Sequence, residues 1–167
     1  MSTRTLVPVE EYLTTDYEPD CDYVDGELIE RNMGEKGHSE VQMRVAGYFY
    51  SRRHALGIEV FPEMRLRVAS RSYRVPDICI VLGEAPDEAV FSTPPFLCIE
   101  ILSPEDRASR IEHKIADYLA FGVPYIWVID PWNCRAFIYT QHGMREAHEV
   151  LETENPKISI PLAEVFD

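Results

Sequence analysis

The sequence lacks an apolar run long enough to span a bilayer, and residues 1–4 do not lead into the hydrophobic segment of a signal peptide. Its four cysteines have no paired C-x-x-C spacing, so neither a zinc site nor a dithiol redox motif is indicated. Internal repeats and low-complexity segments are absent as well. These absences favour an ordinary globular protein of the cytoplasm with no membrane partner.

Lysine is scarce in the 167-residue chain, which has only Lys36, Lys114 and Lys157. The formal net charge is −13, from 16 basic and 29 acidic residues. Such a chain repels nucleic acid at long range, so contact with DNA would require a local basic face. Basic residues between positions 44 and 74 could form that face or could be scattered and solvated. They are Arg44, Arg52, Arg53, Arg65, Arg67, Arg71 and Arg74.

Two short apolar stretches each contain one carboxylate. Residues 74–82 read RVPDICIVL and residues 96–102 read FLCIEIL, a pattern typical of strands buried on both faces. An ionised carboxylate in such a layer needs a cation, a metal or hydrogen-bond donors. Antiparallel pairing of the two strands would bring Asp77 and Glu100 to the same end. They would then share a ligand, or each would pair with an arginine.

A helix is predicted after the second stretch. The residues SPED at 103–106 supply an N-cap serine, a proline at the first helical position and two acids in the first turn. Lys114 lies on or beside the apolar stripe of this helix. Its ammonium either reaches water while its stem packs on the core, or points at Asp77 and Glu100. The stripe consists of Ile111, Ile115, Tyr118 and Leu119.

The chain before these stretches predicts a β-hairpin and a helix. Asp25-Gly26 is a strong signal for a two-residue hairpin turn near the N-terminus. Residues 38–54 have helical spacing, and Gly57 would end that helix. His38 near its start could contact a substrate phosphate, or it could be a cap or a surface residue.

Further strands complete a fold of the α/β (α+β) class, in one domain over residues 1–167. Residues 58–61 and 64–68 alternate in polarity, as expected of half-exposed strands joined by Pro62-Glu63. Residues 83–95 form a long loop of the kind that often lies over a site. The Glu100 strand, the Lys114 helix and a strand at 125–129 make a βαβ unit.

These motifs together resemble the Uma-type family of predicted restriction endonucleases, within the PD-(D/E)XK nuclease superfamily. The resemblance covers about residues 20–140 and depends on the order of the motifs more than on any one of them. It implies a restriction-endonuclease-like mixed β-sheet flanked by helices, with an N-terminal β-hairpin. The motifs are Asp25-Gly26-Glu27-Leu28, His38, Pro76-Asp77, Glu100-Ile101-Leu102-Ser103-Pro104, Lys114 and residues 122–131 (GVPYIWVIDP).

The resemblance also implies the roles of the site residues. Asp77, Glu100 and the backbone carbonyl of Ile101 would bind Mg²⁺ or Mn²⁺. The superfamily lysine is expected two residues after the glutamate, where this chain has Leu102. Lys114 is therefore interpreted as the migrated lysine. Glu27 could assist the metal or its water, or it could be an ordinary exposed glutamate beside a turn.

The function implied is a metal-dependent endonuclease that hydrolyses DNA phosphodiester bonds, working as a homodimer. Two other functions stay open. One is a catalytically silent scaffold or regulatory dimer that keeps the nuclease fold. The other is a metal-dependent phosphodiesterase for small substrates, which suits the acidic charge.

Overall fold

The computed structural model describes residues 5–32 and 34–166. This part of the chain contains four helices and twelve strands. In chain order they are α1 (Val9–Thr14), β1 (Cys21–Val24), β2 (Glu27–Glu30), α2 (Lys36–Leu56), β3 (Ile58–Pro62), β4 (Leu66–Ala69), β5 (Ser72–Arg74), β6 (Ile78–Leu82), β7 (Leu97–Ile101), α3 (Ala108–Phe121), β8 (Tyr125–Asp130), β9 (Arg135–Thr140), β10 (Gly143–Ala147), β11 (Val150–Glu152), β12 (Ser159–Pro161) and α4 (Leu162–Phe166).

The strands form a six-stranded sheet, a four-stranded sheet and a separate two-stranded sheet. The six-stranded sheet has the order β10-β9-β8-β7-β6-β3, and the four-stranded sheet has the order β2-β1-β5-β4. In the larger sheet β7 and β8 are parallel, while the other neighbouring pairs are antiparallel. The predicted mixed sheet of an α+β fold is confirmed. No helix in the described part of the chain is both long and apolar enough to cross a membrane.

The N-terminal hairpin forms at the predicted turn. Val24 pairs with Glu27, so Asp25 and Gly26 are the two loop residues. Their φ angles are 49° and 92°. A two-residue turn with positive φ at both positions matches the twist of the flanking strands, which explains why Asp-Gly is suited to it.

Alternate residues of the central strands face α2 on one side and α3 on the other. Trp127 lies in the cluster on the α2 side. Cys79 and Cys98 lie in the cluster on the α3 side, together with Tyr118. Since Glu100 is two residues beyond Cys98 in β7, its side chain also points toward α3. The helix that packs on this face of the sheet therefore supplies the groups that contact the Glu100 carboxylate.

The carboxylate stretch at 74–82 does not form one strand. Its first part belongs to β5 of the smaller sheet and its last part to β6 of the larger sheet. Residues 75–77 cross between the sheets, and Pro76 cannot donate a ladder hydrogen bond there. Ile78 pairs with Ile99 in the antiparallel β6–β7 ladder, which confirms the predicted pairing and sets Asp77 beside Glu100.

The predicted hairpin of residues 58–61 and 64–68 is wrong. β3 pairs with β6, whereas β4 pairs with β5 in the other sheet. The physical reason is burial, since Leu66 and Val68 of β4 pack in the same cluster as Tyr118 of α3. The chain therefore leaves the larger sheet after Pro62.

The predicted start of the Lys114 helix at Ser103 is also wrong. The helix begins at Ala108, and Arg107 is its N-cap residue. Ser103 instead closes a separate turn, in which its N–H donates to Asp106 Oδ2 at 2.6 Å. The N–H of Asp106 donates back to the Ser103 carbonyl at 3.0 Å. An acid three residues after a serine can close such a turn as readily as it can cap a helix.

Two glycines of α2 provide a test of these backbone conformations. A side chain at Gly47 would meet nothing within 4 Å, whereas Gly57 ends the helix with φ at +64°. We expect Gly47→Ala to stabilise the protein by about 0.5–1 kcal/mol and Gly57→Ala to destabilise it by about 1 kcal/mol. Urea denaturation of the two variants measures both changes, and shifts of the same sign would contradict these helix boundaries.

Candidate active site

A pocket of about 50 Å³ opens where the end of the hairpin, α2 and α3 approach the β6–β7 ladder. Three residues predicted from the sequence, Asp77, Glu100 and Lys114, line it together. All three are buried, with 4%, 4% and 8% of their surface exposed. The structure therefore brings these three groups together at one end of the sheet. His38 and Ile101, also predicted, line the same pocket.

Asp77 is held from three directions. Its Oδ1 lies 3.0 Å from Arg31 Nη2 and 3.2 Å from His38 Nε2. Its Oδ2 accepts a hydrogen bond of 2.7 Å from the N–H of Ile101. Burial alone would raise the pKa of this carboxyl, but His38, Lys114 and Arg31 lower it below its ordinary value. Asp77 is therefore an anion at neutral pH.

Glu100 is held from α3. Lys114 Nζ lies 3.0 Å from its carboxylate, and the hydroxyl of Tyr118 donates a hydrogen bond of 2.6 Å to Oε1. Burial raises the pKa of Glu100 to about 7, although Lys114 and Tyr118 act in the opposite direction. Asp77 adds to the increase because a second anion nearby disfavours ionisation. Burial is therefore the main reason that Glu100 resists ionisation.

Lys114 is a buried cation and does not reach solvent through a snorkelling chain. Besides Glu100, its ammonium lies 3.6 Å from Asp22 Oδ2 and 3.5 Å from the carbonyl oxygen of Val75. Burial lowers the pKa of a lysine, but here the carboxylates of Asp22 and Glu100 raise it above the ordinary value. The ammonium therefore keeps its charge across the neutral range.

Asp22 and Arg74 form a second layer behind Lys114. Asp22 Oδ2 lies 3.1 Å from Arg74 Nη1, and its Oδ1 accepts a hydrogen bond of 3.0 Å from the N–H of Val75. Arg74 Nε also donates to Asp117 Oδ2 at 2.7 Å. These contacts join β1, β5 and α3, so the charged layer fixes the position of Lys114.

His38 is neither a cap nor a surface residue. The N-cap position of α2 is Glu35, and the His38 side chain is 12% exposed. Burial lowers its pKa, but the hydrogen bond and charge of Asp77 raise it above the ordinary value. Its Nδ1 is buried without a hydrogen-bond partner in the described structure. One turn later Gln42 donates to the Asp77 carbonyl at 3.1 Å.

Glu27 and the loop at 83–95 are not brought to this pocket. Glu27 starts β2, whereas the pocket is lined by Arg31, just beyond the other end of that strand. At about 3.3 Å per residue, the two positions are separated by roughly 13 Å. The loop instead pairs with β4 through a bridge between Phe91 and Leu66. The expectation that this loop lies over the site is wrong.

The seven arginines of residues 44–74 do not line the pocket either. Arg74 is 3% exposed, and its guanidinium already pairs with Asp22 and Asp117. Arg52 and Arg53 lie over the rings of Tyr48 and Tyr50 on α2. The basic groups at the pocket are instead Arg31 and Arg110, together with Lys114.

Sequence reasoning missed three contributors to the site, Asp22, Arg31 and Tyr118. Asp22 carried a usable signal, since it is an acid inside the short strand β1 whose other residues are apolar. That pattern had identified Glu100. Arg31 and Tyr118 had no such signal in the sequence. An arginine after a hairpin or a tyrosine on the apolar stripe of a helix has the same local pattern whether or not it belongs to a site.

The pocket contains the kinds of oxygen donor that hard divalent cations bind. Asp77, Glu100 and Ile101 line the pocket and offer carboxylate and carbonyl oxygens, the donors that hard divalent cations prefer. The described residues contain no group of three or more His, Cys, Asp or Glu side chains that could hold a metal. Mg²⁺ commonly binds one or two carboxylates and completes its shell with water and substrate oxygens, so two carboxylates are compatible with it.

A comparison with protein families identifies the family of this chain. A family model, Uma2, described as "Putative restriction endonuclease", matches residues 9–166. The chain belongs to the Uma2 family. The resemblance seen in the sequence is thereby confirmed, and the Uma2 match extends beyond the motifs to nearly the whole chain.

A solved structure shares the fold of this Uma2 protein. It is described as a putative nuclease belonging to DUF820 from Anabaena variabilis ATCC 29413, and it is 24% identical. The TM-score is 0.80, and the alignment covers 95% of this chain and 98% of that chain. At this identity the likeness shows the fold alone. Among curated proteins none matches the chain.

The raised pKa of His38 predicts a pH dependence of stability. A histidine whose folded-state pKa exceeds the unfolded value of 6.5 contributes stability that is complete below pH 6.5 and is lost as the pH rises through the folded pKa. We expect His38→Gln to lower the free energy of unfolding by on the order of 1 kcal/mol at acid pH, with a smaller difference at alkaline pH.

Urea denaturation across the neutral range measures this difference, and His142→Gln is the matched control because His142 is exposed. A wild-type minus His38→Gln difference that grows with rising pH would show that the imidazole is held neutral.

Proposed function

We propose that this protein is a metal-dependent endonuclease that hydrolyses DNA phosphodiester bonds. The observation that carries the proposal is the Lys114 ammonium lying 3.0 Å from Glu100 in a pocket that Asp77 also lines. Two carboxylates and a lysine are the groups that phosphodiester hydrolysis uses to neutralise charge and position a water. Membership of the Uma2 family supports the same reaction class.

The metal site of the proposal consists of the Asp77 and Glu100 carboxylates and the Ile101 carbonyl. When bound, Mg²⁺ or Mn²⁺ would supply charge neutralisation at the phosphoryl oxygens and a lowered pKa for a coordinated water. The N–H of Ile101 fixes the Asp77 carboxylate through its 2.7 Å hydrogen bond. The protein itself therefore orients the Asp77 carboxylate, whether or not a ligand is bound.

Lys114 acts through its charge in this mechanism. Because neighbouring carboxylates raise its pKa, the ammonium is protonated at neutral pH and is a poor general base. It can hold a water or a phosphoryl oxygen by hydrogen bonding and offset the negative charge that builds up in the transition state. The contact with Asp22 is a second anchor for the ammonium, independent of Glu100.

His38 and Arg31 provide donors on the opposite side of Asp77. A protonated His38 that donates from Nε2 to Asp77 has a second N–H at Nδ1, and that atom has no partner within the described residues. Arg31, Arg110 and Lys114 are the arginine and lysine residues of the pocket lining, which also contains Asp22, Glu30, Asp77, Glu100 and Asp106.

A silent scaffold is the second candidate, and one observation favours it. Each carboxylate already pairs with protein cations and donors, Asp77 with Arg31 and His38, and Glu100 with Lys114 and Tyr118. The cluster is therefore satisfied without a metal. A scaffold would show this satisfied cluster and no turnover.

Cleavage assays with supercoiled, linear and single-stranded DNA in Mg²⁺ or Mn²⁺ separate these candidates. We expect Asp77→Asn, Glu100→Gln and Lys114→Met each to reduce metal-dependent cleavage by at least about 100-fold, because each removes a group that acts on the reacting phosphate. Metal-dependent turnover of small phosphodiesters alone would favour the small-substrate enzyme, and no turnover at all would favour the scaffold.

The matched control is Glu146→Gln, which makes the same chemical change as Glu100→Gln in an acid that pairs with Arg135 and does not line the pocket. Its cleavage should stay close to that of the wild type. The double variant Glu100→Gln/Lys114→Met removes both members of the buried ion pair, so that a folding defect from one unpaired charge can be recognised by circular dichroism. Equal loss in Glu146→Gln and Glu100→Gln would contradict the assignment.

Metal binding itself distinguishes the roles of the carboxylates and the lysine. We expect Asp77→Asn to weaken Mn²⁺ binding by about tenfold or more, whereas Lys114→Met should bind Mn²⁺ more tightly because a competing cation has been removed from Glu100. Isothermal titration calorimetry measures both. Weaker Mn²⁺ binding by Lys114→Met would show that the lysine supports the metal site rather than competes with it.

A further inference from the structure

Trp132 is an exposed aromatic ring on a rigid turn. Its exposure is 57%, which is unusual for a side chain of this size and apolar character. The turn after β8 is fixed by Asp130, whose Oδ1 accepts the N–H of Trp132 at 3.0 Å and whose Oδ2 accepts Asn133 Nδ2 at 2.7 Å. The backbone thus presents the indole to solvent at a defined place.

This turn lies at the end of the sheet that carries the pocket. β7 and β8 are parallel and in register, with Glu100 beside Val128 and Ile101 beside Ile129. Residues that follow β8 therefore emerge at the same edge as residues that follow Glu100 in β7. Trp132 is three residues beyond Ile129, and so it borders this edge.

The Trp132 ring also lies near the first turn of α2, which borders the pocket. A Cβ added to Gly37 would lie 4.0 Å from Trp132 Cζ2 and 3.9 Å from Pro131 Cβ. The next residue, His38, lines the pocket and contacts Asp77. The first turn of α2 thus lies beside the indole and, through His38, contacts Asp77.

An exposed indole beside a phosphodiester site can stack on a nucleobase. Stacking on an aromatic side chain stabilises binding irrespective of base identity, because every base has a π-face. It requires a base whose face is free, which a paired and stacked duplex does not offer. It also needs no neutralisation of phosphate charge, which matters in a chain of net charge −13.

We propose that Trp132 stacks on an unpaired nucleobase next to the phosphate that enters the pocket, so that the preferred substrate is single-stranded or locally unpaired DNA. This inference rests on the proposed nuclease function and specifies its substrate class. Trp132 is then a binding residue that selects the strand, while Asp77, Glu100 and Lys114 act on the phosphate.

Tryptophan fluorescence tests the contact directly, because the other tryptophan, Trp127, is fully buried. Oligothymidylate is titrated into the wild type with Ca²⁺ in place of Mg²⁺ to slow cleavage. We expect quenching in the wild type and loss of quenching in Trp132→Phe, with a Kd close to the wild-type value because phenylalanine keeps a stacking face. Trp132→Ala should weaken the Kd for oligothymidylate by about 5- to 100-fold, measured by anisotropy of a labelled strand.

Two controls make the result specific. Tyr50→Ala removes another exposed aromatic ring, 55% exposed, about 20 Å along α2 from Gly37, and should bind as the wild type does. A duplex of the same length should bind more weakly than the single strand and should be insensitive to Trp132→Ala.

The outcomes of these experiments distinguish a failure of the stacking inference from a failure of the proposed nuclease function. An unchanged Kd for oligothymidylate in Trp132→Ala, or equal weakening for single strand and duplex, overturns the stacking role and leaves the nuclease proposal standing. A wild-type protein that neither binds nor cuts any DNA overturns both.

Discussion

The ion pair between Lys114 and Glu100 is the interaction on which the rest of the structure depends. Both groups are more than nine-tenths buried, and each would be strongly destabilising without the other. Removing one partner of such a pair typically costs about 3–5 kcal/mol, whereas a well-packed apolar pair in the same space is often as stable. A buried charge cluster of this kind is therefore weak evidence that its charges stabilise the fold and stronger evidence that they form a functional site.

The fold brings these charges together through one break between two sheets. Pro76 interrupts the ladder, so the chain passes from β5 to β6 and leaves Asp77 beside Glu100 at the strand ends. On one side α3 contributes Lys114 and Tyr118. On the other side α2 contributes His38, and the hairpin contributes Arg31. The elements that carry the core also position the charged groups, because both helices pack on the strands that hold the carboxylates.

Much of this could be predicted from the sequence, where a residue's local pattern determines its environment. Asp77 and Glu100 stood out because a carboxylate in an apolar run needs a partner, and the Asp25-Gly26 turn was recognisable from the φ angles it requires. The pairing of β3 and β4 could not be predicted, since their alternating patterns fit a hairpin as well as two different sheets. The start of α3 was misplaced because Asp106 closes a turn with Ser103 that looks like a capped helix in sequence. Arg31 reaches Asp77 from 46 residues away, and no local pattern encodes such a contact.

The central claim is that the buried acids form a catalytic metal site and do more than balance charge. A crystal structure of the protein soaked with Mn²⁺, with the ion located by its anomalous scattering, tests this claim most directly. The account predicts an anomalous peak between the Asp77 and Glu100 carboxylates, with the carbonyl of Ile101 in the coordination shell and the ammonium of Lys114 shifted away from one oxygen of Glu100. Absence of a peak in this pocket at a saturating Mn²⁺ concentration, with the Lys114–Glu100 pair unchanged, would contradict it.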